Sequence, residues 1–140
     1  MVSLLIIYPS LITSGHELMF KKHQLEFEKF SQITVVSRTK FASREQFFWN
    51  IFSKRRRHRK ILLVNGSPYG HVGLKIFLFL IGFRIIEYCP FPELPEMADR
   101  FHHRFVPKLN SIIVHRRILI DDWQLKYSSV KNSLVIYNHV

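Results

Sequence analysis

The stretch KILLVNGSPYGHVGLKIFLFLIGFRIIEYC, residues 60–89, decides the fold. It opens on an apolar run, KILLVNGSP (60–68), closed by Asn65-Gly66 and Pro68 as a buried strand would be. HVGLKIFLFLIG (71–82) follows as a buried helix, with Gly82 placed to cap its C-terminus. FRIIEYC (83–89) is the next strand, stopped by Pro90 and Pro92. Strand, helix and strand in this order form a βαβ unit, which implies parallel strands.

The same alternation extends to both sides. VSLLIIYPS (2–10) is a continuous apolar run closed by Pro9, the pattern of a parallel strand buried on both faces. LMFKKHQLEFEKF (18–30) places Phe20, His23, Phe27 and Phe30 on one helical face. QITVVSR (32–38) is a β-branched strand, and FASREQFFWNIFSKRRRHR (41–59) a helix that ends in a basic turn. Beyond residue 89, a helix is expected in 92–108, beginning after Pro95, and a strand in NSIIVHR (110–116). A short helix over 119–129 and a sixth strand, SLVIYNH (133–139), complete the series. The expectation is an α/β, three-layer Rossmann-like domain with a mostly parallel sheet of about six strands. With no linker or repeat in the chain, residues 1–140 form one domain. Such sheets bind ligands beyond the carboxyl ends of their strands, which here selects loops 9–17, 65–73, 88–96 and 115–119.

Composition narrows the partners. At 47% hydrophobic residues the chain is a globular domain and not a disordered one. Its net charge of +11 implies an anionic surface or ligand. The single cysteine, Cys89, excludes an internal disulfide framework and fits a reducing compartment. MVSLLIIYPS lacks the basic region and small-residue cleavage site of a signal peptide. The most apolar run, IFLFLIGF (76–83), lies between Lys75 and Arg84 and falls short of the roughly 20 residues that span a bilayer.

Several groups invite a chemical reading. Ser14-Gly15-His16 follows the first strand, where helix N–H groups meet phosphate or Ser14 simply caps the helix. Gly66, Gly70 and Gly73 lie between a strand and a helix. Their spacing is neither G-x-G-x-x-G nor a P-loop, which favours a tight turn with close packing. Glu87 sits inside an apolar strand, an unusual place for a carboxylate, and Glu93 lies in the Pro-rich loop after it. The adjacent His102 and His103 diverge on a helix, and neither they nor His115 have further ligands at metal spacing, so no metal site is expected. Asp121-Asp122 reads as an acidic helix start.

The strongest physical signal is FFWNIFSKRRRHRK (47–60). Phe48, Trp49 and Phe52 precede Lys54, Arg55, Arg56, Arg57, Arg59 and Lys60, a combination suited to an anionic membrane interface. A core helix with a solvated basic end gives the same pattern, and so does a nucleic-acid surface, although no nucleic-acid motif accompanies it.

Three segments carry a resemblance to the N-terminal, acceptor-side domain of GT-B glycosyltransferases of the retaining family 4 type. They are LLIIYPSLITSGHE (4–17), FRIIEYCPFPELP (83–95) and SIIVHRRILIDDWQLKYSSVKNSLVIYNHV (111–140). The last resembles the family's final N-domain strand and helix with the "V-I-x-N-G-V" crossing into the donor domain, with His139 where glycine is usual. The first loop has one glycine, Gly15, where relatives often have two, and the family's usual His after the fourth strand is replaced by Glu87, Tyr88 and Cys89.

The resemblance implies one half of a GT-B fold, with the donor-binding C-terminal domain absent from 1–140. It implies acceptor or phosphate contacts at Ser14, Gly15, His16, Gly66, Tyr69, His71 and Glu93, with Glu87 the candidate catalytic carboxylate. The chain itself would bind no cofactor; a nucleotide-sugar donor belongs to the other domain or a separate subunit. The expected acceptor is a glycan or lipid-linked glycan in polysaccharide biosynthesis, met at the cytoplasmic face of the cell membrane. Transfer activity is expected only when the donor domain completes the site. The alternatives are a stand-alone basic module binding anionic membrane or nucleic acid, and a truncated remnant without function.

Overall fold

The computed structural model describes residues 2–11, 17, 18, 20–22, 24, 31–89, 93, 94, 96, 99–119 and 121–136. Six strands, β1 (Val2–Tyr8), β2 (Ser31–Ser37), β3 (Lys60–Val64), β4 (Arg84–Tyr88), β5 (Val114–Leu119) and β6 (Ser133–Val135), form one sheet in the order β2-β1-β3-β4-β5-β6. Every neighbouring pair is parallel. Among the described residues, helices α1 (Arg44–Ser53), α2 (Val72–Leu80) and α3 (Arg100–Ile113), with the 3-10 segments Arg38–Lys40 and Asp122–Tyr127, connect them. The domain is α/β and Rossmann-like, and the strand order reverses direction between β1 and β3, which places a crevice beyond their carboxyl ends.

The period of two along each strand divides the core into two faces. Leu5 and Ile7, Ile61 and Leu63, and Ile85 point to the face covered by Phe47 and Ile51 of α1, Leu74 and Leu78 of α2, and Ile113 of α3. Leu4, Ile6 and Tyr8 of β1 and Leu62 and Val64 of β3 point the other way, onto Phe20. Residues 17, 18, 20–22 and 24 are helical, in the span where the sequence predicts a helix; His23, Phe27 and Phe30 lie outside the described residues.

The helix ends follow local chemistry. Ser43 accepts from the Gln46 N–H and starts α1, and α1 gives way to turns at Lys54, well before the predicted limit at residue 59. Asp99 accepts from the His102 N–H and starts α3, four residues past the expected start after Pro95. α3 tolerates Pro107 and runs to Ile113, so the predicted strand 110–116 is corrected: its first four residues are the last turn of the helix. The apolar run misleads because Val106, Asn110 and Ile113 form one buried helical stripe while Ile112 is 71% exposed, a period of three to four and not of two. The acidic start predicted at Asp121-Asp122 is present as a capping box between Asp121 and Gln124, opening a 3-10 segment where an α-helix was expected. The last strand is three residues long, and residues 137–139 of its predicted span lie outside the described residues.

Gly82 fulfils its expected role. It follows the C-cap of α2 with φ of 97°, and its N–H bonds to the Phe79 carbonyl. Gly82→Ala is expected to lower stability by about 1–2 kcal/mol, because a Cβ is disfavoured at positive φ. A urea titration checks this: the midpoint should fall with its slope unchanged.

Candidate functional site

At the carboxyl ends of β4 and β5 lies a cluster of four buried charges. Glu87 shares the face of Ile85, and Arg117 stands directly beside it in the β4–β5 register. Lys75, on the buried stripe of α2 with Leu74 and Leu78, reaches down from above. Glu87 Oε2 accepts from Lys75 Nζ at 2.9 Å and from Asn65 Nδ2 at 3.0 Å, while Oε1 accepts from Arg117 Nε at 2.9 Å. Arg117 Nη1 also donates to Glu93 Oε1. Side-chain exposure is 0% for Lys75 and Glu87, 1% for Arg117 and 2% for Glu93. Two cations and two carboxylates thus occupy a dry space without net charge.

Burial alone would raise the Glu87 pKa. The Lys75 and Arg117 charges, with the hydrogen bonds from Lys75 and Asn65, reverse that and hold it below the usual carboxylate range. Burial opposes the Arg117 charge in turn, and Glu87 and Glu93 outweigh it, so the guanidinium is held more firmly protonated than usual.

The cluster shapes the loop after β3. Lys75 Nζ and Asn110 Nδ2 both donate to the Pro68 carbonyl, at 2.9 and 3.0 Å, and Asn65 Nδ2 donates to the Gly70 carbonyl at 3.0 Å. A Cβ on Gly70 would meet Asn65 Oδ1 at 3.2 Å, so the loop closes against the side chain that fastens it. The Tyr69 hydroxyl lies 3.2 Å from the Leu94 carbonyl and 2.9 Å from His103 Nδ1, linking this loop to the one after β4 and to α3.

Beside this clamped loop a cleft of about 470 Å³ opens at the carboxyl ends of β1, β2 and β3. Phe47, Phe48, Leu11 and Leu74 give it an apolar wall, and Arg38, Arg44 and His71 supply its polar groups. Arg38 is steadied by a 2.9 Å bond from Nη1 to the Phe41 carbonyl. His71 is the N-cap of α2, holds a left-handed φ of 55° and makes no capping bond with its side chain. Burial, then the Lys75 charge, lowers its pKa against the opposing pull of Glu87 and so favours the neutral imidazole. An anion with an apolar body matches this lining.

The residues singled out in the sequence separate into distinct places. Ser14, Gly15 and His16 lie outside the described residues. His71 lines the cleft; Tyr69 turns its hydroxyl to His103 and Leu94 instead; Gly66 lies in the bend between them and β3. Glu87 has no face open to solvent and both oxygens bonded, while Glu93 lines a separate groove near α3. His102 bonds Asp99 and His103 bonds Tyr69, so the two rings diverge as expected. Sequence reading missed Lys75, Arg117, Asn65, Asn110, Arg38 and Arg44. Lys75 within VGLKIFLFL was the available signal: a lone cation in an apolar helix requires a buried partner.

The basic–aromatic segment divides as well. Trp49 and Phe52 stack at 5.3 Å with planes 5° apart, and Arg55 covers Phe52 at 3.8 Å. Trp49 is 72% exposed. Phe48 stands apart from this surface, stacked on Phe77 at 4.9 Å and lining the cleft. Lys54 and Arg57 border a smaller basic recess with His58, and Arg56, Arg59 and Lys60 are exposed around it. No helix of the described residues is long and apolar enough to cross a membrane.

No protein-family model matches the chain, and no curated protein matches it in sequence. Among solved structures it is similar to Anabaena HepE in complex with UDP and glucose, with a TM-score of 0.71 and 13% identity over 100% of this chain and 45% of HepE. It is equally similar, at TM-score 0.71 and 12% identity, to HepE in complex with UDP-glucose, of which it covers 44%. At such identity the likeness is one of fold, and the chain spans less than half the length of HepE.

The charge cluster makes two measurable demands. Lys75→Met is expected to destabilise the fold by about 3–5 kcal/mol, since it removes one partner of a buried pair, and thermal unfolding checks it. Glu87 has a folded pKa below its unfolded value. Its contribution is therefore present above the unfolded value, near 4.5, and is lost as pH falls through the folded one. Urea midpoints should decline on acidification below about pH 4.5, and Glu87→Gln, though less stable at neutral pH, should flatten that decline.

Proposed function

We propose that this chain is the acceptor-side half of a sugar-transferring enzyme, acting with a second Rossmann-like domain that holds a nucleotide-sugar. The second domain comes from the same polypeptide or from another. The observation that carries this reading is the match of the whole chain to 45% of HepE, a protein whose structures hold UDP with glucose and UDP-glucose. The resemblance to retaining, family 4-type GT-B enzymes in the first strand, the fourth strand and residues 111–140 supports it independently.

On this reading the cleft receives the acceptor. Arg38, Arg44 and neutral His71 meet its anionic part, and the Phe47–Phe48 wall meets its apolar part, as a lipid-linked glycan phosphate requires. The contribution of the domain is proximity and orientation: an acceptor hydroxyl held toward the donor domain. Glu87, locked under the loop, acts as a positioning residue for that wall through Asn65, Lys75 and Pro68. The stack of Trp49, Phe52 and Arg55, with Lys54, Arg56, Arg57, Arg59 and Lys60, rests on the anionic cytoplasmic face of the membrane. Alone, the chain transfers no sugar.

Two measurements test this. Saturation-transfer NMR is expected to show no binding of UDP or UDP-glucose to this chain alone, and micromolar UDP affinity would make it the nucleotide half instead. Trp49→Ala with Arg55→Ala should sharply reduce sedimentation with vesicles of phosphatidylcholine and phosphatidylglycerol, and pure phosphatidylcholine should retain little of either form. Preference for duplex DNA over these vesicles would favour the basic-module alternative, which the exposed Arg56, Arg57, Arg59 and Lys60 also support.

A further inference from the structure

The apolar flank of α1 has a counterpart on the rest of the helical layer. α1, α2 and α3 pack the same side of the sheet, where Phe47 and Ile51, Leu74 and Leu78, and Ile113 share one core. Their outer flanks therefore belong to one surface. On α3, Val106, Asn110 and Ile113 face the core, while Phe101, Phe105 and Ile112 recur at helical spacing on the outside with half-buried Leu109. Phe101 and Phe105 stack at 5.9 Å with planes 12° apart. On α2, Leu80 lies opposite the buried stripe of Leu74, Lys75 and Leu78. Phe101 is 70% exposed and Leu80 74%, so neither helps to close the core.

The two rows adjoin. Arg104 and Lys108 border the groove toward the 3-10 segment Asp122–Tyr127, which sets the Phe101–Ile112 row on the other flank of α3, toward α2. Lys75 of α2 reaches Asn110 of α3 at 2.8 Å, and exposed Phe79 stands one turn beyond Lys75 on that flank. Phe77 turns the other way and stacks on Phe48 of α1. The charges carried by α2 and α3 are all positive: Arg100, Arg104 and Lys108 are exposed, Lys75 is buried, and neither helix contains an acidic residue. Asp99, which caps α3, is paired with His102. Among the described residues, none of the three exposed cations forms an ion pair.

We propose that the outer face of α2 and α3 is a lipid-contact surface, which beds Phe79, Leu80 and the Phe101–Ile112 row in the headgroup–acyl boundary of an anionic bilayer. Arg100, Arg104 and Lys108 meet lipid phosphates beside that row. An apolar stripe flanked by cations alone is the pattern such a boundary accepts. A second copy of the chain is a poorer occupant, since a two-fold contact of this face sets cations against cations. Nucleic acid satisfies the cations and leaves Leu80 and Ile112 in water. The surface extends the α1 contact proposed above and rests on that reading for the anionic membrane alone; each contact can fail without the other.

Two measurements on the full chain test it, with vesicles of phosphatidylcholine and phosphatidylglycerol. Ile112→Trp and Leu18→Trp, each made with Trp49→Phe and Trp123→Phe, place a lone tryptophan at an exposed site on either side of the sheet, Leu18 lying near Phe20 on the far one. Chain-brominated phosphatidylcholine should quench roughly half the emission of the first and little of the second. Equal quenching of the two, or none, would overturn the surface. Leu80→Ser with Ile112→Ser, both at exposed positions, should weaken sedimentation with the vesicles about tenfold while Trp49 and Arg55 remain. Full sedimentation of that variant, with loss in Trp49→Ala with Arg55→Ala, would overturn this surface and leave the α1 contact standing. The reverse pattern supports this surface and removes the α1 contact. A solution dimer that Leu80→Ser with Ile112→Ser dissolves would assign the face to a second copy and overturn the lipid reading.

Discussion

Glu87 is a carboxylate at the centre of a parallel sheet, shut away from water, and everything around it is arranged to keep it charged. Such a group is tolerated only with cations and hydrogen bonds on all sides, and they arrive from four elements: Arg117 from β5, Lys75 from α2, Asn65 from the end of β3, and Asn110 from α3 through Lys75. Buried ion pairs add little net stability compared with apolar packing. Their value here is geometric. Lys75 and Asn110 converge on the Pro68 carbonyl, so the loop that frames the cleft has one place to sit. Glu93 extends the same set of contacts outward to Ser129, so the groove beside α3 and the cleft beside α2 share one rigid partition.

α1 connects two surfaces of opposite character. Its first turn offers Arg44 and Phe47 to the cleft, and its end leads into the cationic turn that precedes β3. The helix is ten residues long, about 15 Å along its axis. Phe47 and Ile51 face the core and Phe48 faces the cleft. Trp49 and Phe52 take the flank that remains and carry Arg55 with them. In the proposed membrane contact, a helix laid sideways by that flank would keep its cleft end near the headgroups.

The fold was legible because the central strands are buried on both faces and read as unbroken apolar runs, with VSLLIIY, KILLV and RIIEY the clearest. The boundary between α3 and β5 was not. Ile112, Ile113 and Val114 suit a strand locally, and only the burial of Val106, Asn110 and Ile113 under tertiary packing extends the helix through them. The site was legible in part. Glu87 and Glu93 stood out by context, yet their partners come from 12 to 36 residues away and obey no local spacing. His71 was found from its loop, while Arg38 and Arg44 join it only because parallel strands bring distant carboxyl ends together.

The strand order also bears on how the chain is made. After β1 and β2 pair, each later strand joins the same growing edge: β3 beside β1, then β4, β5 and β6 in turn. No late strand has to be inserted between strands already paired, so assembly can keep pace with a ribosome delivering the chain from its N-terminus. The charges do not keep the same pace. Glu87 finds Lys75 already synthesised twelve residues earlier, whereas Arg117 follows thirty residues later. At ordinary translation rates that gap is roughly two to six seconds. For the last 24 residues of that interval Glu93 has been made and its guanidinium has not, and the nascent sheet presents β4 as a temporary open border.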